Sequence, residues 1–368
     1  MTPPRKILLN PGPATTSDAV KRALVVADIC PREAEFGKVV AGVRRDLLSV
    51  AGADPATHTA ILLAGPGTAA MEAAIGSLVP ADGRVLILDN GAYGERAGQI
   101  AATIGVPARI WRMGWTTRPG PADLAEQLDA TGCTHAFWVH HETTTGLLNP
   151  LAEFGAVCRA RGVVSIVDMM SSFAGLPFTL RDTPVDFVLS SANKCLQGMP
   201  GITFVIGPRA LVEASEPVGR TYALNLLRHE RSQARGEFPF TPPVQVVYAL
   251  ARALEETLAE TVPERAARYR ACYETMLAGM TRLGFEPLLP RALHSGLLTA
   301  FLLSDRAGFT FEGLHDHLFA RGITLYPGKL PGTPTFRVAN LGALTPADLE
   351  AFVAEVATYL AGLTVNPA

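Results

Sequence analysis

Between residues 59 and 206 this chain repeats one order: a short apolar run, a turn, and a helical pattern. The apolar runs Thr59–Leu63, Arg84–Leu88 and Thr134–His140 are each followed by a turn that contains glycine and then by a helical pattern. Strands and helices that alternate in this way form a mostly parallel sheet with helices on both faces. The pattern therefore predicts an α/β fold.

The alternation stops after Ile206. Long helical patterns cover residues 244–258 and 263–283, and a mixture of short strands and helices follows. A chain of 368 residues is long enough to form two lobes. We therefore expect a large domain over residues 15–258 and a smaller C-terminal α+β domain over residues 259–368, which the N-terminal arm of residues 1–14 joins.

Charge and cysteine content restrict the possible functions. The formal net charge is -2 and no long basic run occurs, which argues against nucleic acid as the main partner. No apolar stretch approaches the ~20 residues of a membrane-spanning helix, and the N-terminus lacks the usual signal-peptide pattern. The five cysteines are scattered without a CxxC pair, so neither a zinc site nor a disulfide framework is indicated. We expect a cytoplasmic protein without a metal site or a membrane contact.

One lysine lies in a loop of small and turn-forming residues between two apolar runs. The loop Ser190–Gly201 carries Lys194 and separates residues 185–189 from residues 202–206. Because burial of an unpaired ammonium group is costly, such a lysine is either paired or chemically used. A desolvated lysine loses its proton more easily and can form a Schiff base with a carbonyl group. The alternative is a loop lysine that reaches solvent, and this stretch alone leaves both interpretations open.

A carboxylate that can act together with this lysine ends an earlier apolar run. Asp168 follows the run Gly162–Val167 and precedes Lys194 by 26 residues. At the carboxyl end of a buried strand, an aspartate points at the usual ligand crevice of an α/β sheet. Pyridoxal phosphate needs a lysine for its aldehyde and an acidic group that keeps its ring nitrogen protonated. Asp168 and Lys194 can supply these two groups, although an aspartate in this position, taken alone, is more often a helix N-cap.

Three other strand ends carry side chains that suit the remaining parts of this cofactor. A glycine-rich turn opens a helix whose free N–H groups favour a phosphate, with candidate contacts at Gly67, Thr68 and Ala69. Tyr93 can stack on an aromatic ring, and Thr143 can bond the ring hydroxyl group. Taken singly, each feature has another explanation: glycine for tight packing, tyrosine for partial burial, and threonine for capping.

Arg337 is the candidate for binding a substrate anion. It lies in the apolar run Thr335–Ala339 of the smaller domain, and its planar guanidinium group suits a carboxylate or a phosphonate. The alternative is a strand arginine that faces solvent. The strand ends near residues 64, 89, 141, 168 and 193 should open on one edge of the sheet. Residues that only cap helices or turns would have no reason to provide, all together, partners for the phosphate, the ring, the ring nitrogen and the aldehyde of one cofactor.

Several motifs of this chain resemble those of the 2-aminoethylphosphonate–pyruvate transaminases, a group of class V, fold-type I pyridoxal-phosphate enzymes. The resemblance extends through nearly the whole chain. Its more particular marks are Glu142–Gly146 and Ser190–Gly198. Its more general marks are Leu9–Thr16, Asn90–Gly94, Val167–Asp168, Phe240–Pro243 and Tyr326–Lys329.

The resemblance implies a homodimer with active sites at the subunit interface and pyridoxal 5'-phosphate as the cofactor. It implies that Lys194 is the Schiff-base lysine and that Asp168 is the partner of the pyridine nitrogen. The other implied contacts are Thr68 and the other subunit's Thr241 at the phosphate, Tyr93 on the ring, Thr143 at the ring hydroxyl, and Arg337 at the substrate anion.

Three positions depart from the pattern of the group. Pro66 stands where a serine is common, and it removes one phosphate contact. Met169 follows Asp168 where a small residue is expected, and it narrows the pocket. His141 stands where serine or glycine is usual, and it is a candidate for a further anion donor.

The activity implied by the resemblance is amino transfer from 2-aminoethylphosphonate to pyruvate, which gives phosphonoacetaldehyde and L-alanine. The alternative within the family is another class V transaminase, such as an alanine–glyoxylate or serine–glyoxylate aminotransferase. A cysteine desulfurase is disfavoured because no cysteine lies in an obvious mobile loop near the C-terminal lobe. A catalytically silent relative that binds a partner protein is disfavoured because Lys194 and Asp168 are retained.

Overall fold

The computed structural model describes residues 4–215 and 219–363 of the chain. The strands are β1 (Ile7–Leu8), β2 (His58–Ala64), β3 (Val85–Asp89), β4 (Ala108–Arg112), β5 (His135–Val139), β6 (His141–Glu142), β7 (Leu147–Leu148), β8 (Val164–Asp168), β9 (Phe187–Ser191), β10 (Ile202–Pro208), β11 (Leu298–Leu302), β12 (Ile323–Thr324), β13 (Tyr326–Pro327) and β14 (Thr335–Ala339). The helices are α1 (Asp18–Arg22), α2 (Ala34–Val50), α3 (Gly67–Leu78), α4 (Ala92–Thr103), α5 (Pro121–Thr131), α6 (Ala152–Ala160), α7 (Arg209–Glu213), α8 (Leu226–Gln233), α9 (Val244–Glu260), α10 (Val262–Arg282), α11 (Phe311–Phe319) and α12 (Pro346–Leu363).

A seven-stranded sheet with the order β2–β10–β9–β8–β5–β3–β4 forms the centre of the larger part of the molecule. Strands β9, β8, β5, β3 and β4 pair in parallel. Strand β10 runs antiparallel to both of its neighbours, β9 and β2. Strand β2 therefore has the same direction as the parallel strands. The mostly parallel sheet predicted from the alternation of strands and helices is confirmed.

Both faces of this sheet are covered by helices. Along β5, Phe137 belongs to the core on one face and Trp138 to the core on the other, and Val205 and Phe204 of β10 divide in the same way. Helices α2, α5, α6 and α9 contribute to one core, and α3, α4, α7 and α8 contribute to the other. Strands buried on both sides need apolar residues at successive positions, which explains the unbroken apolar runs of the sequence.

The C-terminal part of the chain forms a separate hydrophobic core around a three-stranded antiparallel sheet with the order β11–β14–β13. Phe301, Phe336 and Phe352 belong to this core, together with residues of α10 and α11. The long helical patterns predicted before and after residue 260 are confirmed as α9 and α10, which are separated by Thr261. The domain boundary at residue 258 stays a prediction.

The N-terminal arm connects the two parts of the molecule. Its strand β1 pairs in parallel with β12. The backbone N–H of Ala339 donates to the carbonyl oxygen of Leu9 at 2.7 Å, and the N–H of Ala14 donates to the carbonyl oxygen of Asn193 at 2.9 Å. The arm therefore runs from the C-terminal part to the loop that carries Lys194.

The described residues show neither a metal-binding cluster nor a membrane-spanning helix. Residues 4–215 and 219–363 contain no group of His, Cys, Asp or Glu that could hold a metal ion. Within the same ranges, every helix is too short or too polar to cross a membrane. The five cysteines are free thiols, and four of them are buried. The cytoplasmic location stays a prediction.

A buried ionic cluster joins strand β2 to three helices, α2, α7 and α8. Glu230 of α8 is 5% exposed, and its carboxylate accepts hydrogen bonds from Arg44 at 2.5 Å, Arg209 at 2.8 Å and the Thr59 hydroxyl at 2.7 Å. Two guanidinium groups therefore depend on one carboxylate. Its removal leaves the largely buried Arg44 guanidinium group without a counter-charge.

We expect Glu230→Ala to lower the free energy of unfolding by about 3–5 kcal/mol, the range for removal of one partner from a buried ionic cluster. Chemical denaturation measures this loss. Glu255→Ala is the matched control, because Glu255 pairs with Arg252 on the exposed side of α9, and it should change the stability by less than about 1 kcal/mol. Equal losses in the two variants would contradict the structural role of the cluster.

Candidate active site

Six strands of the large sheet end at the same edge, and five of them, all except β4, lead into the predicted site residues. Because β2, β3, β5, β8 and β9 run in one direction, their last residues, Ala64, Asp89, Val139, Asp168 and Ser191, lie along one side of the sheet. The antiparallel strand β10 begins at this edge. The loop that joins β9 to β10 therefore stays at the edge and carries Lys194 with it. The predicted convergence of the strand ends is confirmed.

Asp168 is buried at the end of β8, with 1% of its surface exposed. Its Oδ1 accepts the backbone N–H of Met170 at 2.8 Å, while its Oδ2 is buried without a hydrogen-bond partner among the described residues. Burial raises the pKa of this carboxyl to about 6, although the Met170 N–H and the charge of Lys194 lower it. One oxygen thus stabilises the turn that follows β8, where a helix N-cap was considered above, and the other remains available to a ligand.

Lys194 turns toward the protein. Its Nζ donates a hydrogen bond to the backbone carbonyl oxygen of Pro11 at 2.8 Å, and its side chain is half-buried. The aliphatic part lies against Gly12, where an added Cβ would come within 3.2 Å of the Lys194 Cγ. The interpretation of Lys194 as a loop lysine directed into solvent does not fit this geometry.

Helix α3 begins at Gly67 and directs its N-terminus toward the same edge. The N–H groups of Gly67 and Thr68 belong to the first turn of the helix, which has no intrahelical acceptor for them. The N–H of Ala69 donates to the Pro66 carbonyl oxygen at 2.8 Å. A Cβ on Gly67 would come within 2.8 Å of the Met170 sulfur, so glycine is needed for packing as well as for an open helix end.

The side chain of Arg96 reaches the start of α3, a contact that the sequence analysis did not predict. Arg96 Nη1 donates to the Thr68 hydroxyl at 3.3 Å, and the guanidinium group lies 4.8 Å from the centre of the Tyr93 ring. Arg96 is three residues after Tyr93, so both project from one side of α4. The charge of Arg96 also lowers the pKa of Asp168.

Glu142 holds the beginning of α4 in place. Its side chain is fully buried, and burial raises its pKa. Its carboxylate accepts the N–H of Tyr93 at 3.2 Å, and the N–H and hydroxyl of Thr144 at 3.1 and 2.6 Å. The N-cap residue Gly91 has no side chain, so a carboxylate at the end of β6 supplies the cap. This position could not be recognised from sequence spacing, because the partners are about 50 residues apart in the chain.

Thr143 connects the sheet edge to Arg337. Its hydroxyl is buried and has no hydrogen-bond partner in the described part of the chain. Its carbonyl oxygen accepts Arg337 Nη1 at 3.2 Å, while Arg337 Nε donates to the Pro327 carbonyl oxygen at 3.1 Å. Arg337 is 2% exposed, and burial lowers its pKa. Within residues 4–215 and 219–363, Arg337 forms no ion pair and its Nη2 has no hydrogen-bond acceptor, so the buried cation is available to an anion.

His141, the candidate for a further anion donor, lies buried between two serine hydroxyl groups. Its Nδ1 lies 3.0 Å from the Ser171 hydroxyl oxygen and its Nε2 lies 2.8 Å from the Ser295 hydroxyl oxygen. Burial lowers its pKa to about 3, and the charges of His140 and Lys194 act in the same direction. The imidazole is therefore neutral at pH 7, with both ring nitrogens occupied. Its effect is to join the loop after Asp168 to the C-terminal part of the chain.

Thr241 has no contact with the other predicted residues that the described structure shows. Its side chain is exposed just before α9, and no hydrogen bond connects it with the other predicted residues in the described structure. Met169, the second departure from the pattern, packs in the core of the large part. The residue that approaches the end of α3 is its neighbour Met170.

Comparisons with known proteins agree with this arrangement. The sequence profile of the aminotransferase class-V family matches residues 21–301. This chain belongs to that family. It is 41% identical over 351 residues to the 2-aminoethylphosphonate–pyruvate transaminase of Syntrophobacter fumaroxidans, and the match covers 94% of each chain. It is 38% identical to the enzyme of the same name from Vibrio vulnificus, with 95% and 96% of the two chains covered.

Solved structures with the same fold include other aminotransferases. Ureidoglycine–glyoxylate aminotransferase of Bacillus subtilis superposes with a TM-score of 0.90 at 20% identity, over 99% of this chain and 95% of the other. Pyridoxamine–pyruvate aminotransferase of Mesorhizobium loti gives a TM-score of 0.86 at 25% identity, over 98% and 92%. The predicted fold-type I architecture and the resemblance to 2-aminoethylphosphonate–pyruvate transaminases are confirmed. The family is one of pyridoxal-phosphate-dependent aminotransferases.

The residues at the sheet edge fit this cofactor. Buried polar atoms are normally hydrogen-bonded, so each exception needs an explanation. The unpartnered Asp168 Oδ2 suits a protonated ring nitrogen, and the unpartnered Thr143 hydroxyl suits a ring oxygen. The start of α3 and Arg96 suit a phosphate. The two unpartnered atoms thus correspond to two polar groups of the cofactor ring.

Asp168 should make the cofactor-free protein less stable as the pH rises. An unfolded aspartate has a pKa near 3.9, so between about pH 4 and 6 the folded protein binds more protons and loses stability with increasing pH. We expect cofactor-free Asp168→Asn to be more stable than the original protein above pH 6, by up to about 3 kcal/mol. The difference should disappear near pH 4.

Urea denaturation at several pH values measures this difference. The exposed Asp305 provides the control, since Asp305→Asn should change stability by less than about 0.5 kcal/mol. Added pyridoxal phosphate should stabilise the original protein more than Asp168→Asn. A variant that is less stable than the original protein at every pH would show that the buried carboxylate is not a source of strain.

Proposed function

We propose that this protein transfers the amino group of 2-aminoethylphosphonate to pyruvate, giving phosphonoacetaldehyde and L-alanine. The observation that carries the proposal is the buried, unpaired Arg337 at the edge that also holds Asp168 and Lys194. Each half-reaction uses a substrate that carries an anionic group close to the reacting carbon. This group is a phosphonate in 2-aminoethylphosphonate and a carboxylate in pyruvate. The names of relatives at 38–41% identity over nearly the full length support the same pair of substrates.

Pyridoxal phosphate, when bound, supplies a carbonyl group for the substrate amine and a ring that accepts electrons. Asp168 Oδ2 would hold the proton on the ring nitrogen, and the Thr143 hydroxyl would bond the ring oxygen. Arg96 covers one face of the Tyr93 ring, and the other face of Tyr93 would contact the cofactor ring. The N–H groups of Gly67 and Thr68 would bind the phosphate. The N–H of Ala69 already donates to the Pro66 carbonyl oxygen, so Ala69 would support this turn by packing and not by a bond to the phosphate.

Lys194 would act in two ways. Its amine would hold the cofactor in the resting enzyme, and after release it would carry the proton that the substrate carbon gives up. A lysine suits this work because its amine can form a Schiff base with a carbonyl group and can also accept a proton. The half-buried side chain and its single hydrogen bond to a backbone carbonyl leave Nζ able to change partners.

Arg337 would bind the anionic end of both substrates. The hydrogen bonds from Nε and Nη1 to two carbonyl oxygens fix the plane of the guanidinium group before any substrate arrives. Nη2 and the second hydrogen on Nη1 then form a pair of donors with the spacing of two carboxylate or phosphonate oxygens. Since the cation is already desolvated, an arriving anion gains strongly from the interaction.

A homodimer with shared active sites would bring Thr241 of the partner subunit to the phosphate. The surface around Thr241 supports this proposal. Phe240 is 36% exposed and Tyr222 is 70% exposed, and their rings contact each other next to Thr241. Exposed aromatic residues beside each other are typical of surfaces that another protein covers.

Lys194→Ala should abolish turnover and still bind the cofactor non-covalently, because the contacts at the phosphate and the ring remain. Borohydride reduction of the loaded protein followed by peptide mapping identifies the attached lysine in the original sequence. Lys329→Ala, which changes an exposed lysine, is the control and should retain activity. A label on Lys329 would show that the assignment of Lys194 is wrong.

Arg337→Lys keeps a positive charge but loses the planar pair of donors. We expect it to weaken binding of both 2-aminoethylphosphonate and pyruvate by about 1.5–3 kcal/mol each, the range for charge-assisted hydrogen bonds. Single-turnover kinetics of each half-reaction measure the two effects separately. The control is Arg291→Lys, at a residue whose side chain is 66% exposed. If only pyruvate is affected, the phosphonate binds elsewhere.

A panel of amino donors and acceptors tests the proposed function directly. Purified protein loaded with pyridoxal phosphate should react with 2-aminoethylphosphonate and pyruvate faster than with any other pair. Preference for alanine or serine with glyoxylate would replace the proposed activity with that of another class V transaminase. Failure to transaminate any pair, with the cofactor bound, would favour a catalytically silent relative.

A further inference from the structure

The N-terminal arm makes direct contact with the proposed catalytic lysine. The Lys194 Nζ donates to the Pro11 carbonyl oxygen at 2.8 Å, across 183 residues of sequence. The next residue, Gly12, lies against the Lys194 side chain, and an added Cβ would be 3.2–3.3 Å from its Cγ, Cε and Nζ. A lysine amine that is not attached to a cofactor therefore has one defined acceptor in this structure.

The turn that presents this carbonyl is held from both sides. Within the turn, Asn10 Nδ2 donates to the Pro13 carbonyl oxygen at 3.0 Å, and Asn10 is 2% exposed. After the turn, the Ala14 N–H bonds the carbonyl of Asn193, the residue before Lys194. Gly12 has a φ of +139°, a backbone conformation that side chains disfavour. The position thus requires glycine both for its backbone and for the space that Lys194 occupies.

The same arm is bonded to the strand that carries Arg337. The N–H of Ala339, two residues after Arg337 on β14, donates to the Leu9 carbonyl oxygen at 2.7 Å, and the Leu9 N–H donates to the Thr324 carbonyl oxygen at 2.9 Å. Only two residues separate Leu9 from Gly12. The arm therefore connects the proposed binding site of the substrate anion with the proposed catalytic amine through short covalent and hydrogen-bonded links.

We propose that the Pro11 carbonyl is the acceptor that positions the Lys194 amine whenever this amine is free, and that it orients Nζ for proton transfer. During the reaction, the substrate carbon that bears nitrogen loses a proton to Nζ, while the electron pair of the broken C–H bond stays with the carbon. Nζ then becomes an ammonium group, which a carbonyl oxygen stabilises. The proposal rests on the role assigned to Lys194 under the proposed function.

Gly12→Ala tests the proposal, because its Cβ displaces Lys194 from Pro11. With the variant loaded with cofactor, we expect kcat to fall about 100-fold, the scale of a misplacement of about 1 Å. The primary isotope effect with 2-aminoethylphosphonate deuterated at the amine-bearing carbon should rise, since C–H cleavage becomes slower than the other steps. KM values and the dissociation constant of pyridoxal phosphate should stay unchanged. Loss of stability and cofactor affinity with an unchanged isotope effect would show a purely structural role and overturn the proposal.

Gly201→Ala is the matched control. Gly201 has a similar φ of +125° and lies in the loop of Lys194, but an added Cβ would meet only Val246, at 3.6 Å or more. It should introduce comparable backbone strain without a rise in the isotope effect. An equal rise in both variants would mean that strain, and not the contact with Lys194, is the cause.

Asn10→Ala gives a second test that needs neither turnover nor a bulky substitution. It removes the bond that closes the turn, so the Pro11 carbonyl should hold Nζ less firmly. In cofactor-free protein, reductive methylation of Lys194 by formaldehyde and cyanoborohydride should become faster, while exposed Lys329 in the same sample should react at its original rate. Unchanged Lys194 labelling would contradict the proposal. Absence of transamination by the original protein would instead contradict the proposed function.

Discussion

The common direction of five strands is the constraint on which the site depends. Because β2, β3, β5, β8 and β9 run in one direction, all five end at the same edge of the sheet. The single antiparallel strand β10 begins at that edge, so the short loop before it keeps Lys194 there. Residues that are more than 100 positions apart, such as Thr68 and Lys194, are brought to one side of the molecule by this arrangement.

The edge contains polar groups that the protein leaves without partners. Asp168 Oδ2 and the Thr143 hydroxyl are buried and unbonded, and the desolvated Arg337 has no ion pair among the described residues. Each such group lowers the stability of the cofactor-free protein, because burial without a partner costs about 1–3 kcal/mol. A cofactor and an anionic substrate that supply these partners recover the lost free energy as binding. The raised pKa of Asp168 is one sign of this stored unfavourable energy.

The remaining buried charges and imidazoles at the edge serve to hold it rigid. Glu142 of β6 caps α4, and His141 joins Ser171 to Ser295 while it stays neutral. The N-terminal arm adds a third link, since its backbone reaches both β14 and the loop of Lys194. Contacts of this kind restrict the relative movement of the cofactor site, the lysine and Arg337. They also explain how a site made from separate parts of the chain can keep one geometry.

The sequence by itself determined the fold class, the edge at which the site forms, and the residues Asp168, Lys194, Tyr93, Thr143 and Arg337 as its candidates. Apolar periodicity, glycine turns and motif resemblance depend on neighbouring residues, and such signals can be read along a chain. The tertiary structure alone decided the contacts of Glu142, the approach of Arg96 to Thr68, the neutral state of His141 and the bond between Lys194 and Pro11. These contacts join residues far apart in sequence, and burial, which sets their charge and hydrogen bonding, exists only after the chain has packed.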